Sequence, residues 1–200
     1  MSRASSGTGA NGDILSHVIS VGHFLTGSHI SKVVGDINIV HETRKSLEDK
    51  TSQQVDNDDM VSALVHFENG VKGHIGASRV TWGRKCGLRW EVHGTRGTIS
   101  FDQERLNEIK LFSAEDDAAT NGFRTILAGP YHPPYSSFLP NAGHSLGYMD
   151  VKICELRQLL NGIETGDDVW PDFNAGHKIE QVMDAVDRSA QTGVWVLVEK

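Results

Sequence analysis

Residues 60–67 and 71–81 are two strand-like runs separated only by Glu68-Asn69-Gly70, and this junction constrains the fold more than any other feature of the chain. Asn and Gly tolerate positive φ, so the chain can reverse there and pair the two runs antiparallel. The signal recurs downstream. Residues 88–93 and 98–101 flank Gly94-Thr95-Arg96-Gly97, and residues 108–112 form a further short strand. Upstream, residues 33–43 alternate apolar and polar positions through Val34, Asp36, Ile37 and Ile39. Hairpin after hairpin specifies an antiparallel sheet.

Helical periods frame these strands. Leu15, Val18, Ile19, Phe24 and Leu25 recur at roughly helical spacing from Asp13 onward, and Gly27 supplies a stop. Residues 148–162 read as a helix with Met149, Ile153, Leu156, Leu159 and Leu160 on its apolar side. Residues 173–193 read as another, through Ile179, Val182, Met183, Val186 and Ala190, and residues 194–198 as a closing strand. Residues 42–59 are polar and charged and read as a loop. Residues 113–147 form a long irregular stretch, which in a compact domain is functional or disordered. The expected fold class is α+β, a large open, mostly antiparallel sheet with helices packed on one face. An apolar opposite face needs a cover, and a second subunit is the simplest one, so a homo-oligomer is expected. Residues 1–12 are expected to be a flexible lead-in, and residues 13–200 one domain.

Composition removes several classes of function. Hydrophobic residues make up 38% of the 200-residue chain and charged residues 22%, values of an ordinary globular protein. No apolar run approaches the ~18 residues of a membrane span. The small polar N-terminus lacks the apolar centre of a signal peptide. A net charge of −7 without a basic stripe argues against nucleic acid as partner. Cys86 and Cys154 are far apart and form no CxxC pair, so free thiols, no metal site and a reduced cytoplasmic setting are the expectation.

Two short motifs invite chemical readings. Gly7-Thr8-Gly9-Ala10-Asn11-Gly12 matches G-x-G-x-x-G, the loop that cradles a dinucleotide pyrophosphate at a helix N-terminus. The context opposes that role. No apolar strand precedes the motif, and Asp13 puts a carboxylate in the first turn, where it would repel a phosphate. Asp13 and His17 form the second motif. Four residues apart on a helix, they share one face, where a carboxylate can orient an imidazole that takes a proton from a substrate hydroxyl. With 10 histidines in the chain, such a spacing arises by chance about once, so spacing alone carries little weight.

The surroundings add weight. Gly12-Asp13-Ile14-Leu15-Ser16-His17-Val18-Ile19, followed by Phe24-Leu25-Thr26-Gly27, resembles the start of the C-terminal domain of the Gfo/Idh/MocA oxidoreductases. Ser20 stands where that family often has Asp. The resemblance continues through Asp59-Met60, Phe67-Glu68-Asn69-Gly70 and Gly73-His74-Ile75. It then runs through residues 91–98 and 102–108, His132-Pro133, Gly147-Tyr148-Met149-Asp150 and Pro171-Asp172-Phe173. It ends at Asp184-Ala185, Ser189-Ala190 and Gly193.

The resemblance implies a two-domain enzyme in which a Rossmann domain binds NAD or NADP. The C-terminal sheet domain, similar in layout to that of glyceraldehyde-3-phosphate dehydrogenase, shapes the pocket and joins subunits. It implies that Asp13 and His17 belong to the catalytic set, with His17 as proton acceptor, and that substrates are sugars, inositols or related polyols. The family's catalytic Lys and its cofactor site have no counterpart in these residues, so neither cofactor is expected to bind this chain alone, and isolated it is expected to be inactive. Tyr131, His132 and His144 resemble a family loop near the substrate mouth, where Tyr and His suit a sugar ring. Trp82 is a further candidate for the pocket edge. Glu104, Arg105 and Asn107 read as a charged turn, Asp172 as a helix cap, and His177 as a helix residue without a ligand role. The alternative to an enzyme half is a non-catalytic dimerisation or sugar-binding module derived from one.

Overall fold

The structure, a computed structural model, describes residues 8–141 and 143–199. In chain order, a π turn, Asn11–Leu15, leads into α1 (Ser16–Thr26), then β1 (Ile30–Asn38), β2 (Thr43–Lys45), β3 (Ser52–Gln54), β4 (Met60–Phe67) and β5 (Lys72–Ser78). Next come β6 (Arg89–Gly94), β7 (Gly97–Asp102), β8 (Glu108–Ser113), β9 (Arg124–Leu127), α2 (Tyr148–Thr165), α3 (Phe173–Thr192) and β10 (Val196–Leu197). The fold class is α+β with antiparallel sheets. The chain divides into two compact units, one from the stretch up to Trp82 joined to that from Trp170 onward, the other from Gly83–Val169. Strand pairing divides in the same way, into two four-stranded sheets and the β2–β3 ribbon. All of these pairings are antiparallel, as the sequence suggests.

The first unit holds a sheet of order β10-β1-β4-β5. The Glu68-Asn69-Gly70 turn joins β4 to β5 as its chemistry requires. The Phe67 amide donates to the Val71 carbonyl at 2.8 Å, the Gly70 amide to the Phe67 carbonyl at 3.1 Å, and Gly70 takes a φ of +90°. Strand β4 alternates strictly. Val61, Ala63, Val65 and Phe67 point inward and are buried, while Met60 and Leu64 on the other face are exposed. Helices α1 and α3 cover the inward face. Leu15, Ile19, Val33, Val61, Val65, Val182 and Val186 meet in one fully buried cluster. Where α3 crosses β1, Gly35 makes room, since a Cβ there would sit 3.1 Å from Val186 Cγ1. The Ser189 hydroxyl accepts from the Gly35 amide (3.0 Å) and donates to the Val194 carbonyl (2.7 Å), tying helix to sheet.

Helix α3 is bounded by local chemistry. Asp172 caps it by accepting from the Ala175 amide at 2.7 Å, and Gly193 ends it in the left-handed region at φ +70°. The end of α1 is buried against β1. His23 Nε2 accepts from the Ile30 amide at 3.2 Å, and the His29 ring stands edge-on 4.9 Å away. Burial, aided by His29 and opposed by Glu68, pulls the pKa of His23 down to about 4.

The second unit is differently built. Its sheet, of order β6-β7-β8-β9, contains no fully buried position. Helix α2 also has no buried residue, and Met149, Ile153, Leu156, Leu160 and Ile163 along its apolar side are all exposed. The irregular stretch of residues 113–147 is partly ordered by β9 and by a short turn, Tyr135–Ser137. Leu139 and Leu146 are buried, and the Asn107 amide group clamps Leu146 through both its nitrogen (2.9 Å) and its oxygen (2.7 Å). Both cysteines are free. Among the described residues no helix is long and apolar enough to cross a membrane.

Candidate functional site

Asp13 and His17 project from the same side of the first helical segment, and both are exposed. Leu15 and Ile19, two residues on from each, point into the core. Leu15 and Ile19 thus determine which face the pair occupies. The helix opens with a π turn, a geometry that recurs at functional sites because it widens and re-aims one turn. The Asp13 amide donates to the Gly9 carbonyl at 3.0 Å. No hydrogen bond or ion pair joins the Asp13 and His17 side chains to each other or to another described residue.

What holds this turn lies elsewhere in the sequence. Asp58 is only 2% exposed, and its carboxylate accepts from the Gly9 amide (2.8 Å) and the Asn11 amide (2.6 Å). The Asp58 carbonyl accepts from the Ala10 amide at 3.0 Å, and the Thr8 hydroxyl accepts from the Gly12 amide at 3.2 Å. Residues 8–12 are therefore packed where the sequence suggests a flexible lead-in, with Ala10 and Asn11 buried. Residues 1–7, including Gly7, lie outside the described residues. The same bonds dispose of the nucleotide-loop reading. The amides of Gly9, Ala10, Asn11 and Gly12, the donors that would cradle a phosphate, are all taken by Asp58 and Thr8. The residues present do not fit a dinucleotide at this motif.

Asp59, adjacent and fully buried, serves a different segment. Its carboxylate accepts from the Val40 (3.0 Å) and His41 (2.9 Å) amides and pairs with Arg44 at 2.6 Å. Burial opposes its ionisation, yet the His41 and Val40 amides and the Arg44 guanidinium prevail and hold the carboxyl below the usual range. The sequence suggests a polar loop over residues 42–59 and does not single out Asp58 as a buried anchor. A run of polar residues just before an alternating strand was the available signal, but nothing local to it names Gly9 or Val40 as partner.

The remaining candidates divide between the units. Trp82 ends the first and is 98% exposed, standing clear of the packed core. Tyr131, 89% exposed, and His132 and His144, both exposed, belong to the second. His132 Nδ1 accepts from the Gly129 amide at 3.1 Å, which leaves Nε2 to carry the ring proton of the neutral form and to present a donor outward. Asp13 and His17 are the two candidates carried together on one element.

A helix-covered antiparallel sheet, with Asp13 and His17 exposed on the helical segment that packs on it, defines an α+β sheet domain. Residues 1–100 match the family described as the GFO/IDH/MocA C-terminal domain. The chain belongs to that family and corresponds to its C-terminal domain. Levoglucosan dehydrogenase from Pseudarthrobacter phenanthrenivorans is 33% identical over 203 residues, covering 95% of this chain and 52% of the relative. An NAD-binding oxidoreductase from Klebsiella pneumoniae superposes with a TM-score of 0.93 at 38% identity, over 99% of this chain and 53% of that one. Levoglucosan dehydrogenase in complex with NADH and levoglucosan superposes at 0.92 with 35% identity, over 98% of this chain and 52% of that one. The chain spans about half the length of these relatives.

Proposed function

We propose that this chain is the substrate-binding and proton-handling half of an NAD- or NADP-dependent dehydrogenase that oxidises a secondary alcohol of a sugar or polyol. The observation that carries the reading is the exposed Asp13–His17 pair on a turn held by the core. Oxidising a secondary alcohol removes the hydroxyl proton and a hydride from the same carbon. His17 accepts the proton, and Asp13, one helical turn earlier on the same face, is the carboxylate that favours the imidazolium that forms. A nicotinamide would supply the hydride acceptor; the described amides of Gly9, Ala10, Asn11 and Gly12 are engaged by Asp58 and Thr8 and would not hold it, and the reading expects no turnover from this chain by itself. Levoglucosan is the first sugar to try, because the similar dehydrogenase bears its name.

The exposed outer face of β4, with Met60 and Leu64, supports a further element of the reading, self-association through the sheet. His17→Ala in a full-length dehydrogenase containing this domain is expected to lower kcat by about 10²-fold or more, the scale of a lost general base. Unchanged turnover removes His17 from the reaction. Leu64→Glu is expected to convert an associating chain to monomer in sedimentation experiments; a wild type that is already monomeric removes the oligomer.

A further inference from the structure

Asp58 does more than fill a buried polar position. Each of its carboxylate oxygens accepts one backbone N–H, Oδ1 from Gly9 and Oδ2 from Asn11, and Oδ1 also lies 3.3 Å from the Thr8 hydroxyl. Its carbonyl takes the amide between them, that of Ala10. Three consecutive residues are thus bonded to one residue nearly fifty positions away. The approach is too close for any side chain at Gly9, where a Cβ would lie 2.0 Å from the Asp58 carbonyl oxygen. The Gly9 carbonyl in turn receives the Asp13 amide, and Asn11 Nδ2 donates to the Met183 carbonyl at 3.1 Å, fixing the turn to α3 as well.

The first amides of a helix have no partner within the helix and attract an anion. Here that anion is a side chain of the chain itself, and the turn it holds is the π turn that carries Asp13 one turn ahead of His17. We propose that Asp58 is a positioning residue for the Asp13–His17 pair: it aims the pair by clamping the amides of Gly9, Ala10 and Asn11. The proposal rests on the catalytic reading of that pair. Asp58 touches no substrate. It sets the start of the turn, and through the Gly9 carbonyl the placement of Asp13 relative to His17. Its neighbour Asp59, engaged with Val40, His41 and Arg44, has no part in this.

The test uses the 200-residue chain with isotope-labelled histidine and aspartate, observed by NMR. In Asp58→Asn, which keeps the shape but puts an amide against backbone donors, the His17 ring signals move. The helical cross-peak between Asp13 and His17 loses at least half its intensity, while the His93 and His144 ring signals stay in place. A merely structural Asp58 would lower the melting temperature and leave the His17 ring signals of the folded protein where they were; that result overturns the proposal. Should Asp58→Asn fail to fold, Asp58→Glu retains both acceptor oxygens and displaces the clamp by one methylene. His17 signals unmoved in that variant overturn it equally. Levoglucosan added to the wild-type chain examines the catalytic reading by itself. Ring shifts at His17 support it. Their absence, alongside an intact Asp58→Asn effect, removes the sugar site and leaves the clamp.

Discussion

The two units are made from the same kinds of element and end in opposite conditions. In the first, β4 alternates strictly and two helices close over its inward face, so Leu15, Ile19, Val33, Val65 and Val186 are sealed from water. In the second, four strands and an 18-residue amphipathic helix leave every strand and helix position at least partly exposed. The difference teaches where precision can reside. The proposed proton-transfer pair, Asp13 and His17, stands on the sealed unit, which offers it a rigid base. Tyr131, His132 and His144, the proposed sugar contacts, stand exposed on the open one, in irregular chain.

The comparison breaks most readily at its core. Leu15→Ala, at a fully buried position, is expected to cost about 2–5 kcal/mol in urea unfolding. A loss below about 1 kcal/mol would mean the first unit is no more tightly packed than the second. Acid offers the next largest effect, through His23. Its folded pKa, about 4, lies below the ordinary value of 6.5, so the unfolded chain takes up a proton first as pH falls. Stability should therefore fall as pH drops from about 6.5 to about 4, by up to about 3 kcal/mol from this group. His23→Gln, whose side-chain oxygen can still accept from Ile30, should remove that part of the slope in unfolding curves at pH 4.5 and 7. An identical slope in wild type and variant would exclude His23 as its source.

Smaller effects follow from the caps and from α2. Asp172→Ala should lower the melting temperature at neutral pH by unpairing the Ala175 amide. The pairing with Ala175 holds the Asp172 carboxyl below the usual range, so its contribution is present above the ordinary carboxylate pKa and fades as pH falls through the folded value. Melting temperatures of the variant and wild type should therefore converge in acid. The smallest change is expected from Leu156→Ala on α2, under about 1 kcal/mol, since that side chain is already half in water. A cost matching that of Leu15→Ala would show the helix covered in solution and erase the contrast between the units.

Much of this was legible because it is local. The turn at Glu68-Asn69-Gly70 follows from the two residue types that tolerate positive φ, and the structure pairs β4 and β5 around it. Helix α3 begins at its predicted cap and ends one residue from the predicted boundary, because Asp172 and Gly193 act on chain next to them. The α1 stripe of Leu15 and Ile19 follows from a period read directly along the chain. The first strand was placed less well, 33–43 against Ile30–Asn38, because its start depends on pairing with Phe67 and on a bulge after Ile30. Residues 113–147 concealed β9, since its four residues become a strand only by bonding to β8.

The sequence by itself determined the α+β class, the hairpin order and the core stripes of α1 and α3, since each depends on residues within a few turns or strand lengths of one another. Only the tertiary structure decided which strands pair, β10 beside β1 and β9 beside β8, and which residues of α1 and α3 are sealed. Only it, too, revealed that Asp58 takes up the amides of the Gly-rich turn. The physical reason is range. A backbone amide must find an acceptor, but nothing in the composition around Gly9 or Asp58 says that the two lie within 3 Å; folding brings them there from 49 residues apart.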